Sequence, residues 1–489
     1  MNDRLSIGTY QNPTEINPLT TDSSISANLV DLVFDTLMLV DKDGRLLPNI
    51  ASSWNSSEDG LVWTIQLNKN FIFHDQHALS AADVKFTFDC MSQLKKSGYS
   101  GYLNAIKSFK TIDSYTIEIT LRSYDSSFIF LLANLAIAPK HLLEGKKDFS
   151  DFNRHPVGSG PYKFVSQTDH EIVLEKNESY PLSSQIKKLV IEIFPNQKAV
   201  LNHLISEQID MAFLVNPEDY GALDKTPHIS IYDNWYPMLY MILFNEKEKL
   251  FSVNHRKVIN LLIDKRDLLS RVLKQKGVLT KGTILPDSRE YQMSDIENEY
   301  NPQKALKILQ DEGWADHDHD GILDLKGKKF EFSTYGIEGE GVAEMSLRSI
   351  QKSLSEAGIR MNIKMLPFNE YIQKVCREQD FESNIVYFVF RSNYNNDFSF
   401  WHSSQIKEGL NFSHYKNNKV DQLLDQIRRE LDSEKRINLN LEMEKELVSS
   451  PPGVFLFWRK MPIAVNKRFY NVPEKRMQNL RDIVNFKVH

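Results

Sequence analysis

Cysteine is scarce: Cys90 and Cys376 are the two in 489 residues. They fall on separate predicted helices far apart in the chain, so no disulfide framework or cysteine metal cluster is expected, and two free buried thiols are. A basic excess is also missing. The 59 Lys and Arg stand against 65 Asp and Glu, for a net charge of -6, and the cations are scattered, which leaves no nucleic-acid footprint. No apolar run approaches the length of a membrane span. The opening residues, Met1 to Leu5, lack the apolar core of a signal peptide. A cytosolic protein and a processed mature chain with an added Met both read this way. A strand that begins at once with Leu5 and Ile7 favours the processed chain. Catalytic signatures are missing too: no Gly-x-Ser-x-Gly elbow, no His-Glu-x-x-His and no dinucleotide fingerprint occur. Gly158-Ser159-Gly160 is followed by Pro161-Tyr162-Lys163-Phe164, a strand pattern, where a phosphate loop needs Gly-Lys-Ser or Gly-Lys-Thr and a helix. No cofactor and no enzyme activity are expected.

What is present reads as a soluble globular chain. Hydrophobic residues make up 41% and charged ones 25%, and 56.7 kDa is too large for one ordinary core. Strand and helix patterns alternate, which predicts an α/β fold. A strand at Leu5–Tyr10 leads through a polar loop, 11–24, to a helix over about 26–39. Asn55 to Gly60 is a turn, and Trp63, Ile65 and Leu67 alternate with polar residues as a half-buried strand does. Phe71 to Phe73 reads as a second short strand, broken by His74-Asp75-Gln76-His77. Ser80 with Asp83 three residues on makes a capping box for a helix over 81–95. His74 and His77 are spaced for a metal, but a hydrogen-bonded turn is the stronger reading.

The stretch Leu47 to Phe88 carries an ordered set of matches: Leu47-Pro48, Ser53-Trp54, Asp59-Gly60, Trp63, Phe73-His74-Asp75 and Ala82-Asp83-Val84. It resembles the signature of the family-5 extracellular solute-binding proteins, the peptide- and nickel-binding components of ABC importers. Gln76 stands where that family has Gly, and Asn68-Lys69 replaces its Leu-Arg. The resemblance implies a type II periplasmic binding protein fold, with two lobes joined by a two-crossing hinge and an extra inserted subdomain. The expected parts are 1–39, 157–235 and 460–489 for lobe I, 40–156 for the inserted subdomain, and 236–459 for lobe II. Ile229 to Phe244 is expected as the first crossing and Val454 to Trp458 as the return.

The implied function is capture of peptides between the lobes and delivery to a membrane permease with its ATPase subunits. The chain would act in the periplasm or at the outer face of the cytoplasmic membrane, as a monomer peripheral to it. In peptide binders an Asp in the turn before a Trp-His-Ser-Ser-Gln run holds the ligand's α-ammonium, because a buried ammonium needs a paired carboxylate. Here that run is Trp401 to Gln405, and Asp397 is the candidate. A register shift of one puts Asn396 there instead. Trp401 is read as a pocket wall in preference to core. By the same resemblance Thr21, Asp22, Ser23 and Ser24 line the cleft. The nickel-binding branch carries an Arg before a Pro in the inserted subdomain, and Leu135 to His141 has none. A nickel or metal-chelate binder is therefore the alternative, and a hydrolase on an unrelated fold a remote one. Asp316, Asp318 and Asp320, with Gly321, start like a calcium loop, but Gly327 occupies the twelfth position where a bidentate Glu belongs. They are weak metal candidates. His255 and Arg256, at a helix start, are expected on a solvated face.

Overall fold

A computed structural model describes the chain except for residues 1–2, 14, 22, 41–45, 94–102, 126–127, 183, 214–218, 233–237, 287, 390–396, 431 and 474–479; for residues 24, 129–130, 408 and 433 it describes the backbone alone. The chain forms two compact units, Met1–Tyr236 with Met461–His489, and Pro237–Lys460.

The first unit is built on a seven-stranded sheet, in the order Ile229–Tyr232, Ile463–Asn466, Met211–Ala212, Arg4–Thr9, Lys188–Ile193, Glu171–Lys176 and Tyr162–Gln167. Arg4–Thr9 lies inside it, parallel to both neighbours, with Leu5 opposite Leu189 and Ile7 opposite Ile191. Leu5, Ile7, Leu189 and Ile191 are all buried. Ser6 is a polar residue in this central strand, and its N–H and hydroxyl both donate to Asp210 (2.9 and 3.0 Å). Arg468, from the last segment of the chain, donates to the same carboxylate (2.9 and 2.8 Å). Each buried polar group is thereby satisfied, as burial requires.

A second, four-stranded antiparallel sheet belongs to this unit, in the order Ala51–Ser56, Val62–Leu67, Thr116–Leu121 and Ile106–Asp113. Ile65, Leu67, Ile117, Ile119 and Leu121 are buried within it. Their core is continuous with that of the main sheet. The helix Ala81–Gln93 follows the capping box, in which Asp83 accepts from the N–H and hydroxyl of Ser80 (2.9 and 2.8 Å).

Two elements differ from their sequence patterns. The first helix is Ser24–Val33, shorter than 26–39. Ser23 caps it, and it stops where Gly160 N–H donates to Val33 O (2.9 Å). A Cβ on Gly158 would lie 1.9 Å from that same oxygen. The Gly-Ser-Gly element is thus a close-approach device that closes the helix, and Met38–Val40 then forms a strand. Phe71 to Phe73 is no strand. Ile72 makes one bridge to Ala78, and Phe73 N–H donates to His77 O (2.8 Å), closing a tight turn. Gln76 in that turn has φ 73, the left-handed region where Gly is at ease, which explains the family's Gly there.

The second unit has a six-stranded sheet, ordered Gly277–Leu279, Gly453–Arg459, Met238–Phe244, Ser383–Val389, Glu331–Ile337 and Arg360–Leu366. Met238–Phe244 is buried at every residue, the continuous apolar run of a strand covered on both faces. Glu331–Ile337 and Arg360–Leu366 are parallel, joined by the helix Gly341–Glu356. The amphipathic helix Asn418–Arg429 packs against Ser433–Ser449.

The chain passes between the two units twice, at 236–237, inside the expected first crossing Ile229 to Phe244, and at 460–461, directly after the expected return at Val454 to Trp458. Ile229–Tyr232 lies in the first unit's sheet and Met238–Phe244 in the second's. Gly453–Arg459 is a full strand of the second unit, and Ile463–Asn466 pairs in the first. His255 and Arg256 are not solvated. They are 8% and 4% exposed. His255 Nε2 meets Glu312 (2.8 Å), and Arg256 pairs with Glu246 (3.1 Å) while donating to Phe251 O (2.7 Å). Glu312 lies 57 residues further along the chain, beyond the reach of any local pattern. Cys90 and Cys376 are free and half-buried.

Candidate ligand-binding site

Asp397 opens the short helix Asp397–Trp401, and Asn396 lies outside the described residues. Asp397 is a buried carboxylate. The Trp401 indole N–H donates to Asp397 Oδ1 (3.1 Å). Burial pushes its pKa up to about 6, against hydrogen bonds from Thr283 and Trp401 that pull it down. Beside it stands a second buried carboxylate, Glu444, on Ser433–Ser449. Thr283 N–H donates to Glu444 Oε2 (3.0 Å) and its hydroxyl to Oε1. Burial first, and then the negative charge of Asp397, hold Glu444 well above the usual carboxylate range. Two neighbouring buried carboxylates are costly to ionise together, and an ammonium brought to them would be stabilised.

Trp401 is 1% exposed, so its ring is core. Phe388, Tyr415 and Phe455 surround it at ring distances of 6.2, 6.4 and 6.1 Å. It orients Asp397 through its N–H while its ring packs away from solvent. Glu444 escaped the sequence reading because Glu442, Lys445 and Glu446 around it are charged as well, and nothing local sets it apart from them.

In the first unit, the loop that holds the other candidates is tied to its own backbone. Thr21 hydroxyl donates to Asn17 O (2.6 Å), and Asn17 is fully buried. Ser23 Oγ accepts from Ser26 N–H (3.3 Å) as helix cap. Asp22 lies outside the described residues, and so does the side chain of Ser24.

The remaining polar clusters resolve one by one. His74 is half-buried, with Nε2 donating to Gly160 O (3.0 Å) and Nδ1 accepting from Gly158 N–H (3.3 Å). Desolvation pushes its pKa down to about 4. His74 is a neutral structural link, as a hydrogen-bonded turn requires. Asp316, Asp318 and Asp320 do gather at metal-ligand spacing. Lys329 lies on them, 3.1 Å from Asp318 and in contact with Asp320, and Asp316 accepts the N–H groups of Asp320 and Gly321 (3.1 and 3.0 Å). Among buried cations, Arg459 is shared between Tyr240 (3.3 Å) and Glu340 (3.8 Å) inside the second unit.

Against known proteins, residues 45–409 match the bacterial extracellular solute-binding proteins, family 5. The chain belongs to that family. One relative is the oligopeptide-binding protein AppA of Bacillus subtilis, 27% identical over 96% of this chain and 89% of the relative. Another is the glutathione-binding protein GsiB of Pectobacterium atrosepticum, 24% identical over 94% and 90%. Among solved structures, that of AppA from Bacillus subtilis in complex with a nonapeptide superposes with a TM-score of 0.88, at 26% identity and 99% coverage of both chains. NikZ from Campylobacter jejuni in complex with Ni(L-His) superposes at 0.86 with 23% identity, again over 99% of both. The fold is that of the family throughout the chain, and no helix among the described residues is long and apolar enough to cross a membrane.

Proposed function

We propose that this chain is the substrate-binding component of an ABC-type peptide importer. It captures peptides in the periplasm or at the outer face of the cytoplasmic membrane and delivers them to a membrane permease powered by separate ATPase subunits. It works as a monomer, peripheral to the membrane, and binds its ligand without turning it over. The observation that carries this reading is similarity along nearly the whole chain to an oligopeptide-binding protein whose structure holds a nonapeptide. The buried carboxylate pair supports it, because Asp397 offers the charge that a peptide's α-ammonium needs in a desolvated site. Asn396 and Trp401 would flank that contact, and Thr21, Asp22, Ser23 and Ser24 are the ligand-facing candidates of the first unit.

Mass spectrometry of the small molecules released on denaturing freshly purified protein tests the reading. Peptides of mixed sequence are expected. A nickel–histidine chelate in their place would overturn it.

A further inference from the structure

The turn after Phe73 and the short helix Lys140–Leu143 bring together two imidazoles and a carboxylate that the binding function does not use. His141 Nε2 lies 2.7 Å from Asp75 Oδ2. The His77 ring stacks on the His141 ring, 4.0 Å apart and 13° from parallel. One ligand atom from each of Asp75, His77 and His141 lies within 4.8 Å of the others. All three face solvent. The sequence pairs His77 with His74, but the fold separates them. His74 turns inward to the backbone of Gly158 and Gly160, and His77 turns outward to His141.

The cluster is held from below. Asp75 Oδ1 accepts from His77 N–H (3.2 Å), and the turn is closed by Phe73 N–H to His77 O (2.8 Å). His74 N–H is bonded to Gly158 O (2.7 Å), which anchors the turn to the core. The buried Phe73 ring supports His141 at 5.5 Å. The nearby Lys140 ammonium is paired with Glu144 (3.4 Å). The backbone positions of the three ligands are thus fixed, and their side chains already lie against one another at the surface.

We propose that Asp75, His77 and His141 form a surface site for one divalent transition-metal ion of the zinc, nickel or copper class. Two neutral imidazoles with one carboxylate suit these ions and not calcium or magnesium, which take all-oxygen sets. Ligand bonds of about 2.0–2.2 Å place donor atoms roughly 3–3.5 Å apart around the ion, so small rotations of exposed side chains close the set. When the ion enters, His141 Nε2 gives up its hydrogen bond to Asp75, both atoms become ligands, and the ring proton resides on Nδ1. Three protein ligands leave a position open to water or an exchangeable ligand. The Asp316–Asp320 loop offers carboxylates only, with Lys329 already on them, and is a separate feature.

The test is zinc uptake by the full chain after chelator treatment, followed by calorimetry and equilibrium dialysis with zinc chloride. One tightly held ion per chain is expected. His77→Ala and His141→Ala should each weaken it at least tenfold, Asp318→Asn should leave it unchanged, and His77→Ala should melt like the parent without zinc. Cobalt(II) should give the visible ligand-field bands of a low-coordinate site in the parent and lose them in His77→Ala. No uptake by the parent, equal affinity in His77→Ala, or loss in Asp318→Asn would each overturn the assignment. His77 lies on an exposed turn, so the result stands even if His141→Ala does not fold.

Discussion

Asp397 and Glu444 put two acidic groups where one charge is already expensive. Below pH 3.8 Asp397 is protonated in both folded and unfolded chains. Between 3.8 and about 6 the folded chain holds a proton that the unfolded chain has released, so stability falls as pH rises through that window. The effect is on the order of 3 kcal/mol, from about 1.4 kcal/mol per unit. Denaturation of the parent and Asp397→Asn between pH 4 and 7 should show the parent losing stability relative to the variant over that window. A constant difference would mean that Asp397 titrates normally. The same variant reports on function. A charge-assisted hydrogen bond contributes about 1.5–3 kcal/mol, so Asp397→Asn should weaken peptides with a free amine roughly ten- to a hundredfold and N-acetylated peptides far less. Equal loss for both would remove the ammonium role. Asp397 was legible as a candidate in the sequence through the run that follows it. Its partner Glu444 and the core position of Trp401 were not, because each depends on a segment more than forty residues away, or on what packs against a ring.

At the scale of elements, Gly158 decides where the first helix ends. A methyl group there would meet the backbone carbonyl of Val33, which cannot rotate away as a side-chain tip can. Gly158→Ala should therefore destabilise the first unit by about 2–4 kcal/mol, read by chemical denaturation. A loss under 1 kcal/mol would mean that the helix end is not pinned by this contact. The sequence named the Gly-Ser-Gly-Pro-Tyr element and the strand that follows it. It could not show what the glycines approach, so the helix reads longer in the sequence than it is. Elsewhere local chemistry sufficed. Alternation placed the strand around Ile65, and Ser80 with Asp83 placed the next helix, because cap and period are written within a few residues. The expected crossing at 229–244 does hold the passage between the units, but its one apolar run serves two sheets, and composition does not record the change.

The whole molecule was the most legible level. A single ordered stretch near the start named a family that the full chain then matches in sequence and fold. What the family resemblance leaves open is the ligand, since peptide and nickel–histidine complexes share this architecture. The last segment of the chain completes the first unit: Ile463–Asn466 sits between Ile229–Tyr232 and Met211–Ala212, and Arg481 reaches the fully buried Asp35. The most direct test of the account is a calorimetric titration of unfolded-and-refolded, ligand-free protein with a mixed peptide library and, separately, with nickel–histidine. Saturable binding of peptides at one site per chain, with no comparable heat from nickel–histidine, is the predicted result. Tight nickel–histidine binding without any peptide binding would contradict it.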